Sequence, residues 1–100
     1  MKKLIVIGGG AAGMMAAAAA AGENCKVLLL EKNEKLGKKL YITGKGRCNL
    51  TNQCEVEELL QAVCSNRKFL YSAFYGFTAE DTMAFFEKGG LRLKTERGNR

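Results

Sequence analysis

Leu4-Ile5-Val6-Ile7-Gly8-Gly9-Gly10-Ala11-Ala12-Gly13 decides how this 100-residue sequence folds. An apolar, largely β-branched run stops at three successive glycines, as a buried strand does where the chain must turn sharply. Ala11 to Ala21 is nearly all alanine, which specifies a helix, and Gly22 stands where a helix C-terminal glycine belongs. Lys26-Val27-Leu28-Leu29-Leu30 is a second buried apolar run, ending at Glu31. Strand, helix and strand in so short a span form a βαβ unit, so the two strands are expected to be parallel with a right-handed crossover.

Gly8-x-Gly10-x-x-Gly13 is a weak pattern alone, but between a strand and a helix it acquires a physical meaning. Gly8 turns the chain out of the strand, Gly10 lets the backbone approach a pyrophosphate, and Gly13 lets the helix pack on the sheet. The N–H groups of Ala11, Ala12 and Gly13, at the positive end of the helix dipole, then face the phosphate charge. Seventeen residues separate Gly13 from Glu31 at the end of the second strand. A carboxylate there accepts hydrogen bonds from ribose hydroxyls and repels a 2′-phosphate, which favours FAD or NAD over NADP. Beyond it, Glu31-x5-Gly37-Lys38-Lys39 is similar to a continuation common in flavoproteins that bind FAD at their N-terminus, with Lys38 in place of a second glycine. Lys32, Lys38 and Lys39 place positive charge near such a pyrophosphate or stand as solvated lysines.

Farther along, Lys32 to Asn52 sustains no period and reads as a long loop. Asn52-x-x-Glu55 resembles a capping box ahead of Val56, Leu59, Leu60 and Val63, which are spaced as one face of a helix. Phe69, Leu70, Ala73, Phe74 and Phe77 suggest a second helix, and Thr78-x-x-Asp81 opens a third that runs to Lys88 before Gly89-Gly90. Leu91, Leu93 and Thr95 alternate with charged residues as a strand would, and Gly98-Asn99 reads as a hairpin turn. Phe69, Phe74, Phe77, Phe85 and Phe86 are expected in a core.

The remaining composition narrows the function. With no histidine, this segment holds neither a Ser/His nor a Cys/His nucleophile pair, nor any metal site that needs His. Cys25, Cys48, Cys54 and Cys64 contain no C-x-x-C pair, and they are read as reduced thiols in a cytoplasmic protein. Met1-Lys2-Lys3 before the uncharged run Leu4 to Gly22 imitates a signal peptide or a membrane span, but Gly8-Gly9-Gly10 interrupts its apolar part at once. The net charge of +6 is concentrated in Lys32 to Arg47, where six basic residues face one acid. That excess attracts phosphate, yet it lacks the interleaved exposed aromatics of a single-stranded nucleic-acid binder. Neither nucleic acid nor membrane is therefore expected as a partner.

Thr43-Gly44-Lys45-Gly46-Arg47-Cys48-Asn49-Leu50-Thr51-Asn52, taken with Gly8 to Gly13, Glu31 and Gly37-Lys38-Lys39, resembles the BaiN-like family of bacterial NAD(P)/FAD-dependent oxidoreductases, the aminoacetone-oxidase-type flavoproteins. The resemblance continues to Leu93-Lys94-Thr95-Glu96-Arg97-Gly98 and so covers nearly the whole chain. It implies FAD as cofactor, with NAD(P)H as an electron donor, and places Gly44, Arg47, Cys48 and Asn49 toward the flavin. It also implies a chain several times longer. Cys48 is read as an inert thiol, because its spacing from Cys54 and Glu31 is not that of disulfide-reductase flavoproteins.

The expected fold is α/β: a Rossmann-like FAD-binding βαβ unit, then helices and the start of a β-hairpin. Residues 1–100 are read as the N-terminal part of a domain truncated at its C-terminal end, because two buried strands need further neighbours. The expected function is the FAD-binding segment of an oxidoreductase acting on a small molecule. An NAD-binding dehydrogenase segment and a non-catalytic nucleotide-binding module remain as alternatives, and no catalytic acid or base is assigned.

Overall fold

A computed structural model of the chain describes residues 1–43 and 49–100. The chain divides into two compact units, Met1–Cys48 and Asn49–Arg100. In the first, β1 (Lys2–Ile7), α1 (Ala11–Ala20), β2 (Cys25–Leu30) and the short α2 (Lys38–Ile42) follow one another. β1 and β2 form a parallel two-stranded sheet in which Lys2 pairs with Cys25 and Ile7 with Leu30. The strand–helix–strand reading is therefore observed, as is the mixed α/β class.

Because side chains alternate along a strand, this register sorts the sheet into two faces. Val6, Val27 and Leu29 lie on the face toward α1, where they are half-buried. Gly13, Ala17 and Ala20, spaced as one face of α1, are half-buried as well. Ile5, Ile7, Leu28 and Leu30 occupy the opposite face and are exposed, Ile7 to 85%. The apolar runs expected to be buried are thus covered on one side.

Two local expectations are corrected in this unit. Gly22 is not a left-handed helix cap: Ala21 ends α1 in an extended conformation (φ −66°, ψ 140°), and Gly22 pairs with Cys25 across a tight reversal. The reversal must deliver the chain directly into β2, and a bridge to the first strand residue does this without a left-handed residue. The expected loop also contains α2, which starts at Gly37 in a left-handed conformation (φ 68°). Five residues are too few to display a helical period.

In the second unit α3 (Val56–Ala62), α4 (Arg67–Gly76) and α5 (Ala79–Lys88) precede a 3₁₀ turn at Arg97–Asn99. The Thr78 hydroxyl accepts from the Asp81 N–H at 3.1 Å and the Asp81 carboxylate accepts from the Thr78 N–H at 2.9 Å, the capping box expected for α5. The Asn52–Glu55 box does not form. Glu55 itself caps α3, without a side-chain bond, while the Asn52 amide donates to the Gly98 carbonyl at 2.9 Å. The helix begins at Val56, so Asn52 stands three residues ahead of the cap position.

The chain does turn at Gly98 and Asn99, both with positive φ, and the Glu96 N–H donates to the Arg100 carbonyl at 2.6 Å. Residues 91–96 form no strand, since among the described residues none pairs with them as a ladder. The aromatic expectation fails too. Phe69 is 84% exposed, Phe77 and Phe85 are exposed, and Phe74 and Phe86 are half-buried. Among the described residues the buried apolar side chains are Val56 and Ala79, at the heads of α3 and α5. Among those residues no helix is long and apolar enough to cross a membrane.

Candidate functional site

The register of the sheet builds the site. Ile7 and Leu30 end their strands side by side, and the Gly8 N–H extends the ladder to the Leu30 carbonyl at 2.8 Å. Gly8 and Glu31 therefore leave the sheet at the same level. Gly8 then takes φ +104°, a left-handed conformation that a side chain would strain, and starts the turn into α1.

Each fingerprint glycine has its own steric reason. A Cβ on Gly13 would overlap the Gly8 carbonyl oxygen, with Val6 Cγ1 a further 3.6 Å neighbour. Gly13 thus clears the turn's own backbone, and its contact with the sheet comes second. Gly10 differs. Its backbone (φ −80°, ψ −169°) suits any residue, and among the described residues nothing lies within 4 Å of where its Cβ would be. The packing of the described residues does not require a glycine at position 10.

Gly10 is also the N-cap of α1 and offers no side chain to its free N–H groups. The first intrahelical bond is donated by the Met14 N–H to the Gly10 carbonyl at 2.9 Å, so the donors of Ala11, Ala12 and Gly13 have no partner within the helix. No acidic side chain occupies the first turn. A bare glycine, free N–H groups and the positive end of a helix dipole together suit an anion.

Glu31 faces this turn. One carboxylate oxygen, Oε1, accepts from the Gly9 N–H at 2.8 Å and the other, Oε2, accepts from the Asn33 N–H at 2.7 Å. These bonds, that of Asn33 foremost, hold the carboxyl below its ordinary value, with Lys32 adding a smaller push in the same direction. Each oxygen keeps a lone pair for a further donor.

Gly9 and Leu36 were not singled out in the sequence. Gly9 is buried, its carbonyl accepts from the Gly37 N–H at 2.7 Å, and a Cβ on it would come within 2.5 Å of Leu36 Cδ2. Position 9 is a free position of the fingerprint, and its closeness to Leu36 and Glu31 exists only in the folded chain. The triple glycine itself was the available signal.

Among the other sequence candidates, Gly37 is brought to the fingerprint turn by its bond to Gly9. Lys32, Lys38 and Lys39 are exposed, the last two opening α2. Asn49 is exposed at the start of the second unit. Gly44, Arg47 and Cys48 lie outside the described residues. Cys25, Cys54 and Cys64 are free thiols; burial, helped by Glu58 and Glu55, pushes the Cys54 thiol up and away from its reactive form.

Comparison with known proteins adds family-level findings. The family model for the HI0933-like protein Rossmann domain matches residues 2–100. A 3-dehydro-bile acid delta(4,6)-reductase from Clostridium scindens is 39% identical over 78 residues, covering 75% of this chain and 18% of the reductase. The chain therefore spans less than a fifth of the length of that curated relative.

Proposed function

The chain belongs to the HI0933-like family, a Rossmann-type nucleotide-binding family with oxidoreductase members, and from that premise we propose that it holds the ADP half of FAD. The observation that carries the reading is Gly10. It is a glycine that neither its backbone conformation nor the packing of the described residues demands, set before N–H groups of α1 that have no partner within the helix. A pyrophosphate approaching that backbone gives the missing side chain its reason.

In this reading the N–H groups of Ala11, Ala12 and Gly13 bind the phosphate oxygens, and Glu31 uses its remaining lone pairs for the ribose hydroxyls. The same carboxylate repels a 2′-phosphate, which favours FAD over NADP at this position. Lys32, Gly37 and Lys39 border the nucleotide in this reading, and the family resemblance assigns Gly44, Arg47, Cys48 and Asn49 to the flavin. When bound, the flavin supplies the electron or hydride transfer, drawing on NAD(P)H as donor. The residues of this segment are read as binding and orienting the cofactor; no general acid or base is assigned among them.

We read residues 1–100 as part of a FAD-binding domain in a cytoplasmic enzyme. The segment in common with the reductase is 18% of that longer chain, which supports reading it as a part. That relative is a reductase, which supports the class of reaction. Its bile-acid substrate is not carried over, because the segment in common is the one read as holding the cofactor.

The test separates binding from folding. Gly10→Ala is expected to change stability by no more than about 1 kcal/mol. It should weaken ADP binding by at least about tenfold, or about 1.4 kcal/mol, in calorimetric titrations of the full-length apoprotein. Purified wild-type protein without flavin absorbance, or ADP binding untouched by Gly10→Ala, would sink the reading.

A further inference from the structure

Gly9 is gripped at both of its backbone polar groups. Its N–H donates to Glu31 Oε1 at 2.8 Å and its carbonyl accepts from the Gly37 N–H at 2.7 Å. A side chain on it would crowd its neighbours: a Cβ would meet Leu36 Cδ2, the end of an exposed side chain, at 2.5 Å, Glu31 Oε1 at 3.2 Å and Glu31 Cβ at 3.3 Å. Gly9 lies between the residue that turns out of β1 and the residue that caps α1. Holding Gly9 therefore holds the peptide planes on either side of it. Glu31 is braced in turn by the Asn33 N–H at 2.7 Å, and Gly37 rests on Met14, whose Cε lies 3.1 Å from where a Gly37 Cβ would stand.

We infer that Glu31, Gly9 and the 33–37 turn form a latch that sets the fingerprint loop for phosphate, so that Glu31 is a positioning residue for the pyrophosphate as well as a partner for the ribose. The inference rests on the nucleotide-binding reading and deepens it. Glu31 acts on the phosphate through Gly9, without touching it. Its negative charge opposes an anion, so its electrostatic and positioning effects have opposite signs.

That opposition makes the latch testable with inorganic pyrophosphate, which has no ribose. The full-length apoprotein is titrated with ADP and with pyrophosphate as wild type, Glu31→Leu and Glu31→Gln. Both substitutions remove the charge, and charge alone predicts tighter pyrophosphate binding in each. Leucine leaves the Gly9 N–H without its acceptor, whereas the glutamine oxygen still accepts it. The latch predicts that Glu31→Leu weakens pyrophosphate at least about fivefold, the range set by an unsatisfied buried donor. Glu31→Gln should bind pyrophosphate at least as tightly as wild type, because the acceptor is kept and the opposing charge is gone.

Should Glu31→Leu fail to fold, a second pair carries the test. Gly9→Ala should weaken pyrophosphate about fivefold or more, and Gly9→Ala with Leu36→Ala should recover at least part of that loss by removing the nearest clash. Pyrophosphate binding unchanged or tightened in Glu31→Leu, or in a Gly9→Ala protein whose amide at position 9 has lost its hydrogen-exchange protection, overturns the latch while leaving the nucleotide reading intact. Wild-type protein that takes up neither ADP nor pyrophosphate overturns both.

Discussion

In Met1–Cys48 the buried residue among those described is a glycine, Gly9, whereas in Asn49–Arg100 the buried residues are Val56 and Ala79. The first unit encloses a stretch of backbone whose N–H and carbonyl are both hydrogen-bonded. The second encloses apolar side chains where α3 and α5 begin. One arrangement depends on the absence of side-chain atoms and the other on their presence. The first unit should therefore break when atoms are added, and the second when they are removed.

The largest effect is expected from Gly13→Ala. Its Cβ would overlap the backbone Gly8 carbonyl, which has no rotamer by which to escape. A destabilisation of about 3 kcal/mol is expected, at the upper end of ordinary overpacking. Urea unfolding read by hydrogen exchange should show the loss among the amides of residues 2–30. If Gly13→Ala were neutral while Val6→Ala cost more, the contrast between the units would be broken.

The counterpart in the second unit is Val56→Ala. Val56 is 7% exposed, and removing its two methyl groups should cost about 2 kcal/mol. Protection should fall in residues 56–88 and stay unchanged around the fingerprint. Next comes Thr78→Ala, which takes away one half of the α5 capping box and should cost about 1 kcal/mol. Thr78→Ser, which keeps the hydroxyl, should recover most of it.

The smallest effect is one of pH, and it sharpens the contrast by its origin. The Glu31 carboxyl is held below the ordinary value of 4.5 by the N–H groups of Asn33 and Gly9. Folding therefore favours its ionised form. That contribution is complete at neutral pH, fades as pH falls past 4.5 and is gone below the lowered folded value. In the second unit the Glu57 carboxyl is lowered by its own backbone N–H and by the Tyr75 hydroxyl, which donates to it at 2.8 Å. Acid should therefore loosen both units slightly. Glu31→Gln should remove only the part seen in the fingerprint amides, and Tyr75→Phe only a part in α3 and α4. Equal effects of both variants on both units would show that the two do not act separately.

How much of this was legible depended on the range of the interaction. The order of β1, α1 and β2 could be read because each element declares itself within a few residues, and the three glycines mark the turn between them. Glu31 could be placed because a parallel pair brings strand ends together. The role of Gly9 was hidden, since it depends on an acceptor 22 residues away and on the position of Leu36. Asn52 had the right spacing for a cap but found a carbonyl 46 residues further on. Phe69 lies on α4 and Phe77 just beyond its end, and an apolar pattern does not specify that anything covers them. For Gly44 to Cys48, where the family resemblance is most distinctive, the sequence remains the whole of the description.

The in-step pairing from Lys2–Cys25 to Ile7–Leu30 makes the placement of Glu31 a matter of parity. One residue gained or lost between 26 and 30 would swing the carboxylate through the sheet to the side away from Gly9. Two would return it to the right side but displace it by about 6–7 Å, beyond reach of that N–H. The reversal at 21–24 is under no such arithmetic. Natural length variation, or a chimera spliced from two relatives, is compatible with this site when the joint falls at 21–24, and scrambles it when the joint falls a few positions later.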